Sequence, residues 1–385
     1  MYRQLAKASK NGEANPGQEV VLNVDMALGH DGTGPTLLEK WKQSGSEKVN
    51  LKKVVFALDH AFPAPTIKDR KFQKEFVNFS EEQGCCLYKH GEGVIHQVVA
   101  EEESLWPGMV IVGADGHVAT AGAFGVIAFS VSPEKLIPVL ESSQFKTLVP
   151  EQLTIAIQGT LPGNVLPRDI VLYLVKELSE EIKGKAIALT GSLIDNLSLA
   201  GKMSICNYLP EGGATTAFVL PKDEEELIDF IIQAEEILPL IAVPPSPTSI
   251  REVREVEGLR ISAAIAGGCS AGRLEDMQVI AQVLDGKKIH PGVTFVVTPA
   301  SRTVQDSMDS MGISKTIREA GAVIMPPGCG SCPGKHFGVL DDEDVAVTTT
   351  IRNNPGRIGA EAAQIYLTSP LTVATSALYG KITVP

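Results

Sequence analysis

Lys53-Val-Val-Phe-Ala-Leu-Asp59-His60 is a short apolar run that ends on two residues able to carry and exchange a proton. A run of this length, rich in β-branched residues, reads as a buried strand. Reactive side chains just past its carboxyl end are the layout of α/β enzymes. Working outward, Glu19-Val-Val-Leu-Asn-Val24 reads as a second strand leading towards Asp31, and residues 108–115 as a third, running into a Gly-rich turn. Between them, residues 68–83 alternate charged and apolar side chains at helical spacing. The pattern repeats downstream. Residues 154–159, 186–190 and 214–220 are strand candidates, separated by expected helices at 167–178 and 223–236. It lapses at Pro244-Pro-Ser-Pro-Thr248, where a domain boundary is expected, and resumes with strands at 261–266, 293–298, 321–325 and 345–350. The chain is therefore an α/β protein, and 385 residues call for two or three domains.

Composition removes several function classes. With 44% hydrophobic and 21% charged residues the chain is too apolar to be disordered. Its formal charge of −12 repels a phosphate backbone or an anionic lipid surface, which disfavours nucleic-acid and membrane partners. There is no run of about 18 apolar residues and no signal peptide at the amino terminus, so a cytoplasmic location is expected. Six cysteines are too sparse for a disulfide scaffold. In a reducing compartment they serve as buried thiols, metal ligands or nucleophiles.

In Pro326-Pro-Gly-Cys-Gly-Ser-Cys-Pro-Gly-Lys335, Cys329 and Cys332 are separated by two residues, in a loop that Gly and Pro keep from becoming helix. Both sulfurs can then face one metal. A redox dithiol or half of a zinc site are the alternatives: the first usually opens a helix, and the second needs another Cys-x-x-Cys pair, which the sequence lacks. Cys269, in Ala266-Gly-Gly-Cys-Ser-Ala-Gly-Arg-Leu-Glu-Asp-Met277, follows another expected strand and offers a third thiolate. The remaining cysteines, Cys206 and the vicinal Cys85-Cys86, read as structural.

The two cysteine segments together resemble the cluster-binding motifs of the aconitase and 3-isopropylmalate dehydratase family. The resemblance continues in family order through Leu58-Asp-His-Ala61, Gly93-Val-Ile-His-Gln97, Gly113-Ala-Asp-Gly-His-Val-Ala-Thr120, Met203-Ser-Ile-Cys-Asn-Tyr-Leu-Pro-Glu211 and Ile351-Arg-Asn-Asn-Pro-Gly-Arg357. It implies three α/β/α domains, 1–150, 151–242 and 243–385, around a cluster-containing cleft, without the fourth, swivelling domain. It implies a [4Fe–4S] cluster held by Cys269, Cys329 and Cys332, with one open iron acting as a Lewis acid. As acid–base residues it gives Asp59, His60, His96, Asp115, His117 and Glu211. For the substrate it gives Asp31, Asn207, Arg352 and Arg357. Asp beside His fixes an imidazole's tautomer and raises its basicity, and Arg offers a planar fork for a carboxylate.

Finer features, Cys269-Ser-Ala-Gly-Arg-Leu-Glu-Asp276 and Gly122-Ala-Phe-Gly-Val-Ile-Ala-Phe129, resemble the large subunits of the isopropylmalate dehydratase and homoaconitase branch. The implied activity is a hydro-lyase of leucine biosynthesis acting on 3-isopropylmalate. 2,3-Dimethylmalate and homocitrate are the alternative substrates, and a cluster-bearing regulator or RNA binder is the alternative of another class. The implied partner is a small subunit carrying the swivel domain. Three positions depart from the family: Gly116 stands for Ser, Ser270-Ala271 for Thr-Asn, and Ile351 for Asn, so polar contacts with the substrate differ from those of aconitase.

Overall fold

The computed structural model describes residues 1–89, 91–222, 226–335 and 337–385. They fall into two compact units: Met1–His90 with Ile95–Gln158 and Glu180–Ile232, and Gly91–Val94 with Gly159–Ser179 and Gln233–Pro385.

The first unit contains β1 (Glu19–Asn23), β2 (Met26–His30), β3 (Val54–Ala57), β4 (Cys86–Tyr88), β5 (Val110–Gly113), β6 (Ile127–Ser130), β7 (Gln144–Leu148), β8 (Gln152–Gln158), β9 (Ala186–Thr190), β10 (Thr216–Val219) and β11 (Phe230–Gln233). Five strands form a sheet in the order β4-β3-β2-β5-β6, with every neighbouring pair parallel. A parallel sheet aligns its strand ends, so the residues after β2, β3 and β5 emerge side by side. A second sheet, β10-β9-β8-β11, shares the core of the first: Phe56, Val110, Val112 and Ile127 belong to one apolar cluster with Ala186, Ala188 and Phe218. The 3-10 helix Val118–Phe124 seals this junction. A Cβ on Gly122 would collide with the Ala217 carbonyl, so only glycine permits the approach.

Two sequence expectations are corrected in this unit. β1 does not lead to Asp31: it pairs antiparallel with β7 in a separate ribbon, and β2 delivers His30 and Asp31. The helix expected over 223–236 is not formed in its described part. Residues 223–225 lie outside the described residues, Phe230–Gln233 is a strand, and Ala234–Glu236 is a single 3-10 turn.

The second unit is built on β12 (Leu240–Ala242), β13 (Ile250–Glu252), β14 (Ala263–Gly267), β15 (Thr294–Thr298), β16 (Val323–Ile324), β17 (Val345–Thr348) and β18 (Gln364–Thr368), ordered β13-β12-β18-β17-β14-β15-β16. β12, although it precedes the boundary expected after residue 242, pairs with β13 and β18 in this sheet. The helix Pro167–Glu177 also belongs to this unit. Its buried Asp169 accepts the backbone N–H of Leu240 at 2.9 Å and of Leu166 at 2.9 Å. Burial dominates those bonds and pushes the Asp169 carboxyl up to about 7. The β18, β17, β14, β15 and β16 neighbours are parallel, and the segments that follow β14, β15, β16 and β17 leave from the same edge of the sheet.

Candidate functional site

In the first unit, the sheet edge gathers His30, Asp31, Asp59, His60, Asp115 and His117, and the helix Ile95–Glu102 adds His96 from its first turn. Asp31 organises the turn after β3. Its Oδ1 accepts the N–H of Asp59 at 3.1 Å and of His60 at 2.8 Å, and its Oδ2 accepts that of Ala61 at 3.1 Å. With both oxygens engaged by backbone, Asp31 holds the loop together. Asp59 joins two elements, one oxygen 2.7 Å from His60 Nδ1 and the other accepting the Ile95 N–H at 2.8 Å.

Asp115 is the hub of the histidines. His30 Nε2 lies 2.9 Å from one oxygen and His96 Nε2 2.9 Å from the other, while His117 Nδ1 is 3.6 Å away. The Gly32 N–H donates to His30 Nδ1 at 3.0 Å, so the proton of the neutral ring sits on Nε2 and points to Asp115. His117 Nε2 in turn lies 2.9 Å from Glu211 Oε1, which the turn Leu209–Gly212 presents. Asn207, at the end of the helix Leu199–Tyr208, donates from Nδ2 to Thr120 Oγ1 at 2.8 Å. These links make one continuous network from Glu211 through His117 and Asp115 to His96 and His30. The His30 ring stacks on His60.

Charge in this network is uneven. Burial lowers the His60 imidazolium's proton affinity, but Asp59, by charge and hydrogen bond, and then Asp31 and Asp115 reverse it and raise the pKa to about 9. Burial raises the Asp59 and Asp115 carboxyls, yet the facing histidines outweigh it. Asp59 is held below the usual carboxylate range, and Asp115 well below it. His30, Asp31, Asp59 and His60, and likewise His96, Asp115 and His117, bring ligand atoms close enough for a metal ion. The Asp31 oxygens are taken by amides, however, and the imidazoles pair with carboxylates, which is the arrangement of a proton network. A groove of about 1040 Å³ reaches the network at Asp115 and Gly116, passing Ser132, Lys135 and Lys146.

In the second unit, β14 ends on Gly267, and the chain turns through Gly267 and Gly268, both at positive φ, into the short helix Gly268–Ala271 that carries Cys269. Arg273 folds back to fix this turn, its Nη2 donating to the Cys269 carbonyl at 2.7 Å and its Nη1 to that of Ser270 at 3.3 Å. The Cys329–Cys332 loop is closed by the Cys332 N–H on the Cys329 carbonyl at 3.2 Å. The two segments adjoin: a Cβ on Gly268 would stand 3.5 Å from the Cys329 carbonyl oxygen. Arg357 Nη2 donates to Cys332 Sγ at 3.4 Å, and Arg352 is half-buried on the same segment. Ser270 donates to the Thr349 carbonyl, and Ile351 is buried.

A model of the aconitase family (aconitate hydratase) matches residues 4–238 and 245–380. The chain belongs to the aconitase family. Among relatives, the 3-isopropylmalate dehydratase large subunit 1 of Methanopyrus kandleri is 35% identical, over 100% of this chain and 98% of that protein. The probable methanogen homoaconitase large subunit of Methanothermobacter thermautotrophicus is 33% identical, over 99% and 96%. The crystal structure of Thermococcus kodakaraensis aconitase X in its holo-form shares the fold, with a TM-score of 0.58 over 93% of this chain and 90% of that one, at 13% identity.

Membership of the aconitase family implies an iron–sulfur cluster, and the residues of the second unit fit one. Cys269, Cys329 and Cys332 are outside any disulfide, Cys269 and Cys329 are buried, and a guanidinium donates to the Cys332 sulfur. Such a donor suits a thiolate better than a thiol. Cys206 is fully buried as expected, whereas Cys86 is exposed, against the expectation of a structural pair.

Sequence reasoning gave His30 and Arg273 no role in the site. The signal for His30 is its place in Gly29-His-Asp-Gly32, where it ends a strand two residues before a glycine whose amide can reach the ring.

Proposed function

We propose that this chain is the large subunit of a [4Fe–4S] hydro-lyase that removes water from, and returns it to, a malate-type hydroxy acid, with 3-isopropylmalate as the first substrate to test. The observation that carries the proposal is the adjoining pair of cysteine segments, Cys269 against the Cys329–Cys332 loop. Those three residues would hold the cluster, which when bound supplies a Lewis acid for a hydroxyl and a carboxylate. Arg352 and Arg357 would grip a carboxylate, and Asn207 would position polar groups of the substrate through its side-chain amide.

His60 is the proton donor of this scheme. With its pKa raised to about 9 it is an imidazolium at neutral pH, held by Nδ1 on Asp59, and it can protonate a departing hydroxyl. Once deprotonated it is a base for the reverse hydration. Asp115 keeps His96 and His117 oriented, and Glu211, on His117, extends the route by which protons leave. The large-subunit relatives point to a separate small subunit, for which we propose a swivel domain bearing the base that takes the carbon-bound proton. A cytoplasmic location accords with cysteines that form no disulfide.

The test is anaerobic co-purification with a small subunit from the same genome, cluster reconstitution, and an assay for alkene formation from 3-isopropylmalate, 2,3-dimethylmalate and homocitrate. Turnover of one of these supports the proposal and names the substrate. A fully loaded complex that dehydrates none of them refutes it.

A further inference from the structure

Thr298 stands between the two cysteine segments, and its hydroxyl is unassigned by anything above. Its backbone carbonyl packs against the turn that carries Cys269: a Cβ on Gly267 or Gly272 would run into it. Its side chain packs on the other segment, where a Cβ on Gly330, between Cys329 and Cys332, would collide with Oγ1. Both glycines at positive φ, Gly267 and Gly330, thus leave room for one threonine. The residue is 1% exposed, and among the described residues Oγ1 has no hydrogen-bond partner.

A buried hydroxyl without a partner loses its hydration and gains nothing in return, at a cost of about 1–3 kcal/mol. Valine has the same shape and would avoid that cost, so an acceptor that the polypeptide itself does not provide is called for. Both segments that Thr298 touches carry cluster cysteines: the loop against Oγ1 bears Cys329 and Cys332, and the turn against its carbonyl bears Cys269. We infer that Thr298 is a positioning residue for the cluster, donating its Oγ1–H to an inorganic sulfide of the group held by Cys269, Cys329 and Cys332. This rests on the cluster reading above and deepens it. Hydrogen bonds to cluster sulfurs stabilise the more negative, reduced state and hold the ligand geometry.

The experiment compares wild type, Thr298→Val, Thr298→Ala and Thr298→Ser after anaerobic reconstitution of the full chain. The readouts are iron per chain, the midpoint potential from an EPR-monitored redox titration, and the rate of iron loss in air. The Val and Ala variants are expected to show a more negative potential and iron loss faster by roughly tenfold, while Ser keeps wild-type values. Val and Ala variants that match wild type in both readouts, or a Ser variant that behaves like Ala, would overturn the inference. If Val does not fold, the Ser and Ala pair still decides it. A wild-type chain that assembles no cluster fails at the earlier step and overturns the cluster reading itself.

Discussion

The imidazole rings of His30 and His60 stack with centroids 3.9 Å apart and planes 11° from parallel. Two positive rings at that distance would repel, so the stack needs one of them neutral. The Gly32 amide assigns that part to His30, because its N–H donates to Nδ1, which must then be the unprotonated ring nitrogen. His60, with Asp59 on Nδ1, takes the charge. The pair therefore separates a charged imidazole, the proton donor proposed above, from a neutral one, although both are histidines at neighbouring strand ends.

His60 is expected to titrate near pH 9 in a histidine-selective NMR experiment, and Asp59→Asn should move the midpoint down towards 6.5. The sign for stability follows. A pKa raised on folding contributes stability that is complete below about 6.5 and is lost as pH rises through about 9. Urea midpoints should accordingly fall across that window in wild type and less so in the variant. A wild-type midpoint at the ordinary histidine value would remove His60 as the proton donor.

Asp31→Ala should destabilise the protein by about 3 kcal/mol, because three amides at the Asp59–Ala61 turn lose a charged acceptor in a buried site. Asp31→Asn, which keeps one oxygen, should lose less. Urea unfolding measures both. A small loss of stability accompanied by a large rise in KM would instead give Asp31 the substrate contact expected of it from the sequence.

What the sequence made legible was whatever depends on local pattern. Buried parallel strands such as β3 and β15 are continuous apolar runs, and the cysteine segments are spaced motifs, so both could be read directly. The strand over Phe230–Gln233 was hidden behind an acidic, helix-favouring stretch. Its half-buried and exposed residues alternate, and that period of two is set by pairing along the sheet edge, a tertiary fact. β12 and β18 were missed because Leu240-Ile-Ala242 and Gln364-Ile-Tyr-Leu-Thr368 are short and find each other across more than a hundred residues. In the site, the histidines and carboxylates that the structure brings together were legible one by one, apart from His30. The hub at Asp115 and the Gly32 bond to His30 were not, since they depend on the order of strands in the sheet.

Cys269→Ser, Cys329→Ser and Cys332→Ser should each abolish a stable cluster, seen as lost iron and lost visible absorbance. Cys206→Ser should leave the cluster intact, since it is a core residue of the other unit. Arg357→Ala should weaken cluster retention as well as substrate binding, because its guanidinium donates to the Cys332 sulfur. A cluster indifferent to Cys269 would leave the three-thiolate arrangement without support.

Alkylation of the native chain under anaerobic conditions should separate the remaining thiols by exposure. Cys86 is exposed on the edge strand β4, while burial pushes the neighbouring Cys85 thiol up to about 12, with the Cys86 charge adding to it. Burial does the same to Cys206, also to about 12. A shift of that size lowers the thiolate fraction by about a thousandfold relative to an ordinary cysteine, and the thiolate is the species that reacts. Maleimide labelling followed by peptide mass spectrometry should therefore mark Cys86 well before Cys85 and Cys206, with denaturant levelling the difference. Labelling of Cys85 or Cys206 at the rate of Cys86 would contradict the burial of these thiols.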